Sequence, residues 1–173
     1  MSGLTKEDMD AALSAVGQKL ESQGLRGEIL ILGGAYMTLI IKNRLSTKDI
    51  GAYLISERPA LREAVTQVAQ EQGLPDDWLN DAVKGFLYTQ PASELWRSYP
   101  GLDVYTPEPE YIFAMKAEAA RANSFDFQDL EAVKNFLGLK SAEEALAIIE
   151  KYIPLNKLSP KTQYVIENLF EQE

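Results

Sequence analysis

The segment Glu28-Ile29-Leu30-Ile31-Leu32 is an apolar run of strand length that stops at the pair Gly33-Gly34. Four consecutive large apolar residues ended by two glycines predict a buried strand entering a glycine turn, and this fixes what its neighbours can be. Upstream, Thr5 precedes Asp8 by three residues in the manner of a helix cap with an acid in its first turn. Met9, Leu13, Val16 and Leu20 then recur at helical spacing as far as Gly24. Downstream, Ala35 to Ile41 reads as a short helix, residues 42 to 48 as a polar connection, and Asp49 to Ile55 as a second strand. The opening order is therefore helix, strand, helix, strand.

Arg58-Pro59 opens a further helix whose Leu61, Val65, Val68 and Ala69 form one stripe, closed by Gly73-Leu74-Pro75. Another helix is expected from Asp76-Asp77 through Trp78, Leu79, Val83 and Phe86, because acids favour a first turn. Leu102 to Tyr105 is a third strand between Pro100-Gly101 and Pro107. Helical patterns then cover Tyr111 to Ala122, Phe127 to Leu137, Ala142 to Tyr152 and Lys161 to Phe170. No internal repeat interrupts them. With 173 residues, the expected architecture is α/β (α+β): a short mixed sheet flanked by helices over residues 1–106, and a helical C-terminal lobe over 107–173.

Composition then narrows the chemistry. The chain contains no His and no Cys, so disulfides, thiolate nucleophiles, imidazole bases and zinc sites of the usual kind are excluded within it. Carboxylate, Lys, Arg, Ser, Thr and Tyr chemistry remains, and a hard ion such as Mg²⁺ is the metal that such an inventory suits. A net charge of −9 argues against a partner held by neutralising many duplex DNA phosphates. No stretch approaches 18 uninterrupted apolar residues, which gives the expectation of a soluble, cytoplasmic chain with no membrane partner.

The most informative stretch joins Gly33-Gly34 to Arg44-Leu45-Ser46-Thr47-Lys48-Asp49-Ile50-Gly51. Glycines between a strand and a helix let backbone N–H groups approach an anion, so the turn is either a candidate phosphate seat or simply a tight turn. Alternation along a strand presents positions 49 and 51 on the same face, so Asp49 is either a metal-facing carboxylate or a turn acid. Lys116 reads as a phosphate contact or as a side chain that snorkels to solvent. Asp126 and Asp129 read as site acids or as first-turn acids of a helix.

These residues together resemble the minimal nucleotidyltransferases of the DNA polymerase beta superfamily, in the branch related to AbiEii-type abortive-infection toxins. The likeness rests on Gly33-Gly34, on Arg44-x-x-Thr47-x-Asp49-Ile50, on Leu74-Pro75-Asp76-Asp77-Trp78-Leu79-Asn80-Asp81, and on Lys116 with Arg121, Asp126 and Asp129. It spans residues 27 to 137. The resemblance implies an enzyme that transfers a nucleotidyl group from an NTP to an RNA, such as a tRNA end, or to a protein hydroxyl. It also implies a toxin or phage-defence setting with a cognate antitoxin. It implies catalytic roles for Asp49 and Lys116, and nucleotide contacts from Gly33, Gly34, Arg44, Thr47, Lys116, Arg121, Asp126 and Asp129. Asp49 and Asp103 would hold Mg²⁺, and a cleft between core and lobe would be lined by Gly33, Gly34, Asp49 and Lys116.

One departure stands out: where that branch carries a second aspartate, this chain has Gly51. Natural loss of catalysis, deliberate inactivation and a rearranged metal site each account for it. The alternative function is a non-catalytic module that senses a nucleotide or docks a protein.

Overall fold

A computed structural model of the chain describes residues 3–81, 89–120 and 125–171. These residues form a mixed α/β structure of seven helices, a mixed five-stranded sheet and a small two-stranded sheet. The chain divides into two compact units, Met1–Gly85 with Ser93–Pro107, and Phe86–Ala92 with Glu108–Glu173.

In the first unit, strand β1 (Leu4–Thr5) leads directly into helix α1 (Lys6–Ser22). Thr5 caps that helix through a reciprocal pair: the Asp8 N–H donates to Thr5 Oγ1 at 3.1 Å, and the Thr5 N–H donates to the Asp8 carboxylate at 2.9 Å. Strand β2 (Gly27–Leu32) runs to the glycine pair, where helix α2 (Gly34–Tyr36) begins. Strands β3 (Ser46–Thr47) and β4 (Ile50–Ser56) follow, then helix α3 (Arg58–Gln72), strand β5 (Leu79–Asn80), and the hairpin β6 (Ser93–Tyr99) and β7 (Leu102–Pro107).

The large sheet has the order β5-β4-β2-β7-β6, with β2 antiparallel to β4 and parallel to β7. One face carries Ile29, Ile31, Ile50, Ala52, Leu54, Leu102 and Val104. It packs with the apolar stripes of α1 (Met9, Leu13, Val16, Leu20) and α3 (Leu61, Val65, Val68) into one core. Leu30 and Leu32, on the opposite face of β2, are buried as well. This explains why β2 reads as a continuous apolar run instead of an alternating one.

The expected helix from Asp76-Asp77 is corrected: Leu79 and Asn80 form a strand parallel to β4, with Ile50 opposite Leu79 and Gly51 opposite Asn80. Trp78 decides the outcome. It is fully buried, its indole N–H donates to the Val65 carbonyl of α3 at 3.0 Å, and its own carbonyl accepts the Ile50 N–H at 2.7 Å. Tertiary burial of one large ring thus overrides the local preference of two acids for a helix start. Val83 and Phe86, the rest of that expectation, lie outside the described residues. The strand β6 was not expected either, and its residues are mostly exposed along the sheet edge.

The second unit contains α4 (Pro109–Ala119), α5 (Phe125–Leu137), α6 (Ala142–Glu150) and α7 (Pro160–Glu171). Tyr111 and Tyr152 meet edge to face with ring centroids 5.2 Å apart, and the Tyr152 hydroxyl donates to the Glu108 carboxylate just before α4. Burial first, and then that carboxylate, push the Tyr152 phenol well above its ordinary pKa, so it stays a donor at any physiological pH. Lys134, buried on α5, places its ammonium 4.7 Å from the Phe170 ring centre and donates to the Leu169 carbonyl at 3.4 Å, near the C-terminal end of α7. Among the described residues no helix is long and apolar enough to cross a membrane.

The anchoring of β5 by Trp78 carries a direct consequence. Trp78→Ala is expected to lower unfolding free energy by about 3–5 kcal/mol, whereas Tyr164→Ala at an exposed position stays within about 0.5 kcal/mol, both read by urea denaturation.

Candidate functional site

Strand β2 ends at Leu32, and the next residue, Gly33, has φ 68° and ψ −140°, a conformation that residues with a Cβ rarely adopt. The turn therefore requires glycine there. The helix that follows is α-helical only over Gly34–Tyr36 and then widens into a π-helical turn, Met37–Ile41. Lys42 ends it in the left-handed region (φ 65°), its N–H donating to the Met37 carbonyl at 2.7 Å. Such widened turns and non-glycine left-handed residues are costly, and they concentrate at functional segments.

The polar connection then returns over the turn. An added Cβ on Gly34 would collide with Thr47 Oγ1 and would lie 3.4 Å from a guanidinium nitrogen of Arg44. Arg44 is thus held against the glycine turn. Thr47 is only 6% exposed, and its hydroxyl donates to the Asp49 carbonyl at 3.2 Å. Asp49 is half-buried immediately before β4, and Gly51 sits opposite Leu32, the last residue of β2, with Asn80 on its other side. Gly33, Gly34, Arg44, Thr47, Asp49 and position 51 therefore share one end of the sheet. Lys42, Arg44 and Lys48 fall within the same connection, a local run of cations in a chain of net charge −9.

Asp103 lies elsewhere, at the other end of these strands. It pairs with Glu28 at the start of β2, four positions from Leu32, or about 13 Å along the strand. Both its oxygens are engaged: Arg26 donates to them at 2.9 and 2.5 Å, and the Ser98 hydroxyl donates at 2.6 Å. The Arg26 guanidinium, and after it Ser98, hold the Asp103 carboxyl below its ordinary pKa. Among the described residues no group of three or more acids is placed to hold a metal ion. With Gly51 in place of one acid and Asp103 committed to Arg26, the described carboxylates do not fit a two-Mg²⁺ centre.

The remaining expected residues lie in the second unit. Lys116 on α4 points its ammonium at two carboxylates of α5, at 2.9 Å from Asp129 and 3.4 Å from Asp126. Asp129 is 1% exposed and the Lys116 side chain 13%, so this is a buried ion pair with Asp126 as a more exposed third member. The helical spacing of Asp126 and Asp129 puts both acids on one face. Arg121 lies outside the described residues. The sequence reading missed the neighbours of the turn, Asn80 beside position 51 and β1 beside Thr47. The spacing of Lys42, Arg44 and Lys48 was the one signal available for the local charge.

Two outcomes follow from these pairings. Asp129→Ala leaves a buried ammonium short of its main partner and is expected to cost about 3–5 kcal/mol in denaturant unfolding, against less than about 1 kcal/mol for Asp126→Ala. For Asp103, a folded pKa below the unfolded one means stability that is present above about pH 4 and lost as pH falls through the depressed value. Asp103→Asn should accordingly flatten the acid limb of a stability-versus-pH curve and leave its alkaline limb unchanged. No protein-family model, curated protein or solved structure matches this chain.

Proposed function

We propose that the chain is a nucleotidyltransferase-like protein that binds a nucleoside triphosphate through its phosphates at the Gly33-Gly34 turn, with nucleotidyl transfer impaired by Gly51. The observation that carries the reading is the Arg44 guanidinium lying against Gly34, where a Cβ would have no room, in a turn whose Gly33 opens onto free space. A planar guanidinium with several N–H donors suits phosphate oxygens, and a turn without side chains lets the backbone amides share the same anion. The cations at 42 and 48 add a local positive field, which at physiological salt extends only about 8 Å and so tolerates an acidic chain around it.

Transfer is the weaker half. A single acid at 49 leaves any divalent ion short of the bridging carboxylate that the resemblance implies, and Asp103 is too far along the sheet to replace it. Nucleotide sensing, or docking by a partner such as an antitoxin, is the function that this residue set serves best. If transfer survives, its acceptor would be an RNA end or a protein hydroxyl.

Calorimetric titration with each NTP in the presence of Mg²⁺ should show binding, weakened about 10- to 100-fold by Arg44→Ala, the range expected for losing charge-assisted hydrogen bonds. Incubation with labelled NTP and total RNA or lysate protein should give little transfer by the native chain and a gain by Gly51→Asp, abolished again by Asp49→Ala. If neither the native chain nor Gly51→Asp binds any NTP, the reading is wrong.

A further inference from the structure

Thr47 is closely approached by two glycines, one at its side chain and one at its backbone carbonyl. On one side Gly34 has no space for a Cβ against Thr47 Oγ1. On the other, β1 pairs with β3, Leu4 opposite Thr47 and Thr5 opposite Ser46, so closely that a Cβ on Gly3 would lie 2.7 Å from the Thr47 carbonyl oxygen and 3.1 Å from Ser46 Oγ. Contacts under 3.0 Å to backbone force something to shift, and here the atom struck belongs to the residue that abuts the turn. The brace is anchored at its far end, because Thr5 is both the strand partner of Ser46 and the cap of α1.

Thr47 itself is nearly inaccessible and its hydroxyl proton is directed to the Asp49 carbonyl, so it is badly placed to donate to a ligand. Its neighbours in the chain are the groups a ligand would meet: Arg44 three residues before and Asp49 two residues after. We propose that Thr47 is a positioning residue, and that β1 with Gly3 is a brace that holds Arg44 at the glycine turn and so sets affinity for a polyphosphate chain. This rests on the anion seat proposed above and adds to it an element, the segment at Gly3 to Thr5, that no phosphate would touch.

The test uses the full chain with inorganic tripolyphosphate and ATP as probes, read by calorimetry, together with amide hydrogen exchange over residues 44–49 and a melting curve. Gly3→Val should weaken both probes at least about fivefold and speed exchange over 44–49 while the protein still melts cooperatively. Gly3→Ala, a smaller intrusion, should do the same to a lesser degree and serves if the valine variant does not fold. Gly34→Ala should lose affinity, and adding Thr47→Ala, which removes the hydroxyl that the new methyl would strike, should restore part of it. Faster exchange at 44–49 with unchanged affinity overturns the brace but leaves the anion seat standing. Weaker binding without a change in exchange, or no rescue in the double variant, also overturns it. A native chain that binds neither probe overturns the anion seat and the brace together.

Discussion

The structure hangs on β2, a strand whose neighbours take both of its hydrogen-bonding edges and whose side chains are buried on both faces. Such a strand has no freedom of register: sliding by one residue would exchange Ile29 and Ile31 with Leu30 and Leu32 between two faces with different neighbours. Its register in turn places everything that bears chemistry in the first unit. Leu32 lies across from position 51, Gly33 must turn the chain immediately afterwards, and Glu28 lies across from Asp103. The strand that builds the core is thus also the ruler that keeps Asp103 away from Asp49.

Charge is organised by the same economy. Where carboxylates are drawn well out of solvent they have close partners: Asp103 with Arg26 and Ser98, Asp129 with Lys116. Asp10, half exposed, is also partnered, accepting from the Tyr99 hydroxyl at 2.6 Å and from Arg97 at 2.7 Å. Tyr99, pushed up to about 12 by burial and then by that carboxylate, keeps its proton and ties β6 to α1. Within the sequence, the 42–48 connection carries Lys42, Arg44 and Lys48 and no acid, a local positive run although the chain as a whole is acidic.

Much of this was legible in the residues. The strand at 28–32, the cap at Thr5, the Pro59 start and Gly73 end of α3 and the four later helices follow from periodicity and capping, which are local properties. The candidate turn was legible for a similar reason, because Gly33 and Gly34 are needed by backbone geometry and Arg44 to Asp49 lie close by in sequence. What was not legible depends on register. Asp76-Asp77 look the same before a helix or before a two-residue strand, until Trp78 is buried against Val65. The strand β6 lacks alternation because most of its residues are exposed and its register shifts between Leu95 and Arg97, and Asp103 looks like a partner of Asp49 until the sheet order places Arg26 beside it.

Position 51 shows that the strand forms without help from a side chain there. A glycine inside a strand costs about 0.5–1 kcal/mol relative to alanine, and contributes no side chain to packing. Yet β4 is paired there on both sides, antiparallel with Leu32 and parallel with Asn80, and the strand continues through Ser56 without a break in register at that point. The backbone that would carry an acid at this position is therefore formed without one. The cost of the glycine is borne by neighbours that are themselves well fixed: Leu32 in the central strand, and Asn80 beside the buried Trp78. Because pairing there does not rely on a side chain at 51, the absence of an acid alters the chemistry of the turn far more than its architecture. The register of β4 against β2 and β5 is therefore set by the backbone and by the neighbouring side chains, not by the residue at 51.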